Sequence, residues 1–101
     1  MQMLHIVNKS PLDRNALDSA LRMAKPGSTI LLIEDAIYAV TKGNKAEGAI
    51  REAMKTVTVS ALWPDLEARG MQDTVIDGVK QVDYSGFVDL VAESSSVMSW
   101  L

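Results

Sequence analysis

The first residues able to do chemistry are the polar group Asn8, Lys9 and Ser10, which follows the apolar run Met3–Val7. The run predicts a buried strand, and Ser10 before Pro11 predicts a helix start with Ser10 as the N-cap. Ligands and partners gather at the carboxyl ends of strands in open α/β sheets, so these side chains lie at the expected functional edge. The alternative, that they only turn the chain and cap the helix, stays open.

A second polar pair, Glu34-Asp35, follows the apolar run at residues 29–33. Two carboxylates can perform general acid–base catalysis, but neighbouring residues on an extended chain point in opposite directions. We therefore do not expect the two groups to converge on one substrate. Asp35 instead fits the N-cap of a short helix over residues 36–40.

Residues for metal or covalent chemistry are scarce. The single histidine, His5, cannot build a multi-histidine metal site, and no acidic pair accompanies it at ligand spacing. The chain has no cysteine, which excludes disulfides, thiolate ligands and a cysteine nucleophile. Phosphate-binding and dinucleotide-binding loops are also missing from the sequence. We predict no metal, no cofactor and no catalytic residue.

Composition narrows the functional class further. The chain has 101 residues, of which 48% are hydrophobic, enough for one core and a single domain over residues 1–101. Its net charge of −3 offers no positive field, so direct nucleic-acid binding is not expected. No apolar run approaches the roughly 20 residues of a membrane span, and no signal segment begins the chain. A cytoplasmic protein without a membrane partner is the expectation.

Strand and helix patterns alternate along the chain. Apolar runs predict strands at residues 3–7 and 29–33, and a β-branched run with period-two alternation predicts one at residues 56–62. Alternation of apolar and polar residues at 79–82 predicts an edge strand. Apolar stripes at helical spacing predict helices up to residue 24 and at residues 36–40, 45–54, 63–70 and 84–91. Asp83 is the predicted N-cap of the last helix. The order predicts an α/β fold with a mostly parallel sheet of four to five strands and helices on both faces.

The chain ends with Trp100 and Leu101 after a serine-rich segment. A free terminus is usually polar, so these two residues should either fold back on their own domain or become buried in another subunit. Aromatic residues are favoured in interface cores. Both outcomes stay open from the sequence.

Three segments together resemble the DsrH/TusB family. They are Leu-His-Ile-Val-Asn-Lys-Ser-Pro at residues 4–11, Leu-Ile-Glu-Asp-Ala-Ile-Tyr-Ala at residues 32–39, and Val-Asp-Tyr-Ser-Gly-Phe-Val-Asp-Leu at residues 82–90 with the terminal Trp100-Leu101. The resemblance implies a DsrE-like three-layer fold. It also implies membership of a cytoplasmic heterohexamer with homologous DsrE/TusD-like and DsrF/TusC-like subunits. Such complexes relay persulfide sulfur, either for 2-thiolation of a tRNA wobble uridine (TusBCD) or for dissimilatory sulfur oxidation (DsrEFH).

One position departs from part of that family. Some members carry a cysteine in the first helix where this chain has Ala20, and a persulfide requires a thiolate. The resemblance therefore implies a non-catalytic subunit. We expect its partner contacts at His5, Asn8 and Lys9 and at Trp100 and Leu101, although His5 fits a core role equally well.

Two alternatives remain. The chain could be a stand-alone ligand-binding protein or enzyme that uses the polar residues 8–10 and 34–35, with Lys9 holding an anion at the helix start. It could also be a homo-oligomer of the same fold that buries Trp100.

Overall fold

The computed structural model describes residues 3–10 and 16–100. Its elements follow the order β1 Met3–Val7, α1 Ala16–Met23, β2 Thr29–Leu32, a 3-10 helix Glu34–Val40, α2 Glu47–Ala53, β3 Thr58–Leu62, α3 Trp63–Ala68, β4 Lys80–Val82, α4 Tyr84–Glu93 and β5 Ser96–Trp100. The predicted helix start at Pro11 lies outside the described residues. Elsewhere the bounds differ from prediction mainly at their ends, as at β3, which begins at Thr58.

The five described strands form one sheet in the order β4-β3-β2-β1-β5, and every pairing is parallel. This confirms the predicted α/β fold with a parallel sheet. The weakly apolar alternation of β4 correctly indicated an edge strand. β1, β2 and β3 lie inside the sheet and are covered on both sides. The sequences of β1 and β2 are accordingly almost wholly apolar, whereas β3 alternates at Thr58, Val59 and Ser60 and still buries both faces.

The segment before Trp100 is the main difference from the predicted elements. It forms β5, which pairs with β1 from Met3 opposite Ser96 to Val7 opposite Trp100. Its serines indicated a linker because isolated serine has little strand propensity. Backbone pairing along the free edge of β1 imposes the strand conformation there.

The two faces of the sheet are covered unequally. The larger core cluster joins one face to α1, the 3-10 helix, α2 and α3, through residues such as Leu17, Ile37, Ile50 and Leu66. A smaller cluster packs Phe87 and Leu90 of α4 on the opposite face. Connections between parallel strands are right-handed, so the direction of each step across the sheet decides which face its helix covers. The connections from β1 to β4 step in one direction and place their helices on one face, whereas the connection from β4 to β5 runs back across the sheet and places α4 on the other.

The last helix begins as predicted. The Asp83 carboxylate accepts a 2.8 Å hydrogen bond from the Gly86 N–H, which confirms Asp83 as the N-cap. Of the residues predicted to share an apolar face, Phe87 packs on the sheet, whereas Tyr84 and Val88 are 60% and 64% exposed. The helix therefore has a second apolar face that no described residue covers.

Candidate functional site

The carboxyl ends of β1 and β2 meet, because the two strands are neighbours in the sheet. Asn8 follows β1, and its Nδ2 lies 3.4 Å from the Glu34 Oε1 that follows β2. The two polar groups predicted separately therefore form one edge. The Oδ1 of Asn8 is buried and has no hydrogen-bond partner among the described residues.

Glu34 has an unusual backbone at this edge. Its φ of +52° lies in the left-handed region, which costs a non-glycine residue about 1 kcal/mol or more. Its N–H donates a 2.6 Å hydrogen bond to Oδ2 of Asp65, near the start of α3. Asp65 thus supplies an acceptor at the start of the 3-10 helix from a distant segment.

The prediction that Asp35 is the N-cap is wrong. The 3-10 helix begins at Glu34, its N-cap is Ile33, and no side chain makes a capping hydrogen bond there. The Asp35 carboxylate instead pairs with Arg69, whose Nε and terminal nitrogen both lie 3.1 Å from Oδ1. Asp35 is therefore used for an ion pair between two helical segments.

Glu34 and Asp35 bind different partners, so the two carboxylates do not converge, although both lie in the 3-10 helix and not on the extended chain that the prediction assumed. The Glu34 carboxylate accepts from Asn8, and the Asp35 carboxylate faces the Arg69 guanidinium. Arg69 also donates to the Asp65 carbonyl at 3.3 Å. Within the described residues this edge is a structural network and holds no convergent pair of carboxylates for acid–base catalysis.

Lys9 is exposed and makes no ion pair with a described residue. Next to it, Ser10 contributes to a cavity of about 740 Å³ between α1, the 3-10 helix and the following loop. Asp18, Asp35 and Tyr38 also line this cavity. Lys9 and the cavity are therefore open to a partner or ligand at the carboxyl edge.

His5 and Trp100 lie together, away from this network. His5 is only 1% exposed, and its Nδ1 accepts a 3.1 Å hydrogen bond from the Trp100 Nε1–H. The two rings are stacked, with centroids 6.1 Å apart and planes inclined by 24°. Burial lowers the pKa of His5.

The structure therefore separates the five predicted contact residues. His5 and Trp100 contact each other inside the chain, so the indole of Trp100 folds back on its own domain. Asn8 joins the edge network, Lys9 is exposed, and Leu101 lies outside the described residues. Sequence reasoning missed Asp65 and Arg69, although their position just after β3 places them at the same sheet edge as Glu34.

Exposed apolar side chains mark a second surface. Tyr84, Val88 and Val91 form the outer face of α4, with exposures of 60%, 64% and 41%. Val97 of β5 is also exposed and pairs with Leu4, whose side chain belongs to the α4 side of the sheet. We call these four residues the α4–β5 surface; large exposed apolar groups of this kind mark interaction sites.

Ala20 lies on the buried face of α1 and is fully buried in the larger core cluster. The methyl group packs against the sheet, and it offers no nucleophile. In the described part of the chain no three His, Asp or Glu side chains come together as a metal site would need. None of the described helices is long and apolar enough to cross a bilayer.

Comparison with known proteins agrees with this architecture. Residues 9–97 match the family described as DsrH-like protein. The chain is 36% identical to the protein TusB of Salmonella dublin over 80 residues, which cover 79% of this chain and 82% of that protein. The TusB of Salmonella arizonae gives the same identity and coverage.

Two solved structures share the fold at low sequence identity. The ychN protein of E. coli superposes with a TM-score of 0.80 over 98% of this chain and 99% of its own, at 21% identity. A protein of unknown function from Methanobacterium thermoautotrophicum gives a TM-score of 0.76 over 97% of each chain, at 15% identity. With the family match over most of its length and relatives more than a third identical, this chain belongs to the DsrH/TusB family.

Proposed function

We propose that this protein is a non-catalytic subunit of a cytoplasmic sulfur-relay complex, in which homologous DsrE/TusD-like and DsrF/TusC-like subunits carry the persulfide. The observation that carries the proposal is that this chain belongs to the family and yet contains no cysteine. A persulfide forms only on a thiolate, so this chain assembles with the subunits that bear one.

The geometry supports an assembly role. The polar edge is occupied by ion pairs and hydrogen bonds among described residues, with no nucleophile beside a base. The α4–β5 surface leaves large apolar groups in solvent, and interface cores are enriched in such groups. We assign this surface to contact with a homologous subunit, and exposed Lys9 to the margin of a second contact.

Of the two possible sulfur destinations, we propose tRNA thiolation. The curated relatives bear the name TusB. The resemblance to the DsrH/TusB family implies that a relay of this type delivers sulfur to the wobble uridine. The net charge of −3 supports a place in the complex without direct contact to the tRNA backbone.

Native mass spectrometry tests the proposal directly. The chain is measured alone and after co-expression with candidate DsrE/TusD-like and DsrF/TusC-like homologues, and the complex is then loaded with ³⁵S-labelled persulfide. We expect a defined hetero-oligomer in which the homologues carry the label and this chain does not.

Two other results would overturn this proposal. A chain that stays a monomer beside its homologues would support the stand-alone alternative, with the 740 Å³ cavity as the place to search for a ligand. A stable homo-oligomer that excludes the homologues would support self-assembly.

Loss of 2-thiouridine from tRNA when the chain is deleted, restored by the wild-type sequence, would separate thiolation from sulfur oxidation.

A further inference from the structure

A second cavity, of about 380 Å³, lies toward the opposite, amino-terminal edge of the sheet. Its lining includes His5, with Met3 at the start of β1, Ser28 just before β2 and Met98 on β5. Of the residues that the sequence singled out as contacts, His5 and Trp100 line this cavity, whereas Asn8 and Lys9 lie at the carboxyl edge.

The protonation of His5 decides what the cavity can bind. Because Nδ1 accepts the hydrogen bond of the Trp100 indole, the neutral imidazole carries its proton on Nε2. This Nε2–H is buried and has no hydrogen-bond partner in the described part of the chain. Because Nε2 is closed off from solvent in this conformation, an acceptor in the cavity reaches it only when side chains of the lining shift, and the new hydrogen bond then recovers the energy lost on burial.

The charge at the cavity favours a negative occupant. Lys25, which lies just after α1, also lines it, and its ammonium makes no ion pair with a described residue. No Asp or Glu stands among the described residues of the lining, whereas the Ser28 hydroxyl adds another possible donor. The polar side chains among these described residues are therefore neutral or positively charged, and each can donate a hydrogen bond.

The rest of the lining is apolar or soft. The side chains of Met3 and Met98 and the Trp100 indole surround the space beside the donors. Methionine and imidazole together would suit a soft cation such as Cu(I). A metal ion would require a lone pair on Nε2. The hydrogen bond from Trp100 places the lone pair of the neutral ring on Nδ1 and the proton on Nε2, so the cavity does not suit this cation.

We propose that this cavity binds a small organic monocarboxylate. Its carboxylate accepts the Nε2–H of His5 and faces the Lys25 ammonium, and its short apolar chain packs against Met3, Met98 and Trp100. The site is independent of the subunit role proposed above, because it requires only the residues of this chain.

The test is an NMR titration of the ¹⁵N-labelled protein with sodium butyrate, with the imidazole nitrogens of His5 observed directly. We expect a saturable shift of the Nε2 signal while Nδ1 keeps the shift of an acceptor. 1-Butanol has the same apolar chain without the charge, and sodium chloride controls for ionic strength. Neither is expected to saturate the site.

Two lysine variants give the matched comparison. Lys25→Met removes the charge of an exposed residue and should weaken butyrate binding about tenfold, the effect of one charge-assisted contact. Lys80→Met makes the same change at the opposite end of the sheet, on β4, and should leave the dissociation constant unchanged. Butyrate that fails to saturate, butanol that binds as well, or equal affinities of the two variants would each overturn the proposal.

Discussion

At the scale of the residue, His5 is constrained both by burial and by a hydrogen bond. It is buried, stacked on Trp100, and holds one proton in a fixed tautomer. The sequence offered two readings, a core residue and a partner contact. The structure supports the core reading, because the ring is closed off from solvent and its contact is with its own chain.

Burial of His5 predicts a pH dependence of stability. Its pKa in the folded chain lies below the ordinary value of 6.5, so the unfolded chain binds a proton first as the pH falls. The free energy of unfolding should be highest above about pH 6.5 and decrease below it, by at most about 1.4 kcal/mol per pH unit for one linked proton.

Urea unfolding at a series of pH values measures this dependence, and His5→Gln supplies a chain without the titrating group. The decrease just below pH 6.5 should be absent in the variant, even if its overall stability is lower. An NMR titration that places the folded pKa of His5 at or above 6.5 would contradict the prediction.

At the scale of the element, sequence patterns predicted the strands that bury both faces and missed the one that depends on a neighbour. The runs of β1 and β2 are almost wholly apolar, β3 is β-branched and alternating, and β4 alternates at the sheet edge. The serines of β5 give no such signal, because its conformation comes from pairing with β1. The start of the 3-10 helix also depends on a residue distant in the sequence. The Glu34 N–H donates to the carboxylate of Asp65, 31 residues further along the chain, and no local pattern shows this contact.

Removing this distant acceptor should destabilise the 3-10 helix. Asp65→Ala leaves the Glu34 N–H without its acceptor at a residue with a positive φ, and we expect a loss of about 1 kcal/mol in the free energy of unfolding. Asp65→Asn keeps an acceptor oxygen and should retain most of the stability.

Asp73→Ala is the matched control, because Asp73 is exposed and makes no hydrogen bond or ion pair with a described residue. Denaturant melts give the free energies, and amide exchange at Glu34 locates the effect. Equal stability of Asp65→Ala and Asp73→Ala would show that the contact does not hold the helix start.

At the scale of the whole molecule, the two faces of the sheet differ in cover. Four helical segments lie on one face, whereas α4 is the described helix packed on the other. Sequence alone predicted helices on both faces without this inequality, because no local pattern shows how many helices each face receives. The partner residues expected from the sequence do not include any on α4, whose apolar positions were predicted to face the core.

The thin cover on the α4 side of the sheet predicts that assembly is sensitive to substitution on the α4–β5 surface. Val88→Asp places a charge in the middle of the α4–β5 surface and should weaken hetero-association at least tenfold, because a carboxylate buried without a partner is costly. Since Val88 is 64% exposed, the isolated chain should keep its stability.

Ala68→Asp introduces the same charge at an exposed position of α3, on the other side of the sheet, and serves as the control. Native mass spectrometry of the co-expressed subunits measures both. If the two variants assemble equally well, the α4–β5 surface is not the contact.

The pairing of β1 with β5 also sets the order of events during synthesis. The Trp100 indole and His5 are 95 residues apart, and β5 follows every other described element along the chain. On the ribosome, the outer edge of β1 therefore waits for its partner until the last strand has emerged. Until that moment the nascent chain presents an unpaired strand edge, the feature that most readily recruits a wrong strand. The time between synthesis of β1 and synthesis of β5 is thus the interval in which the nascent chain most needs protection against pairing with strands of other chains.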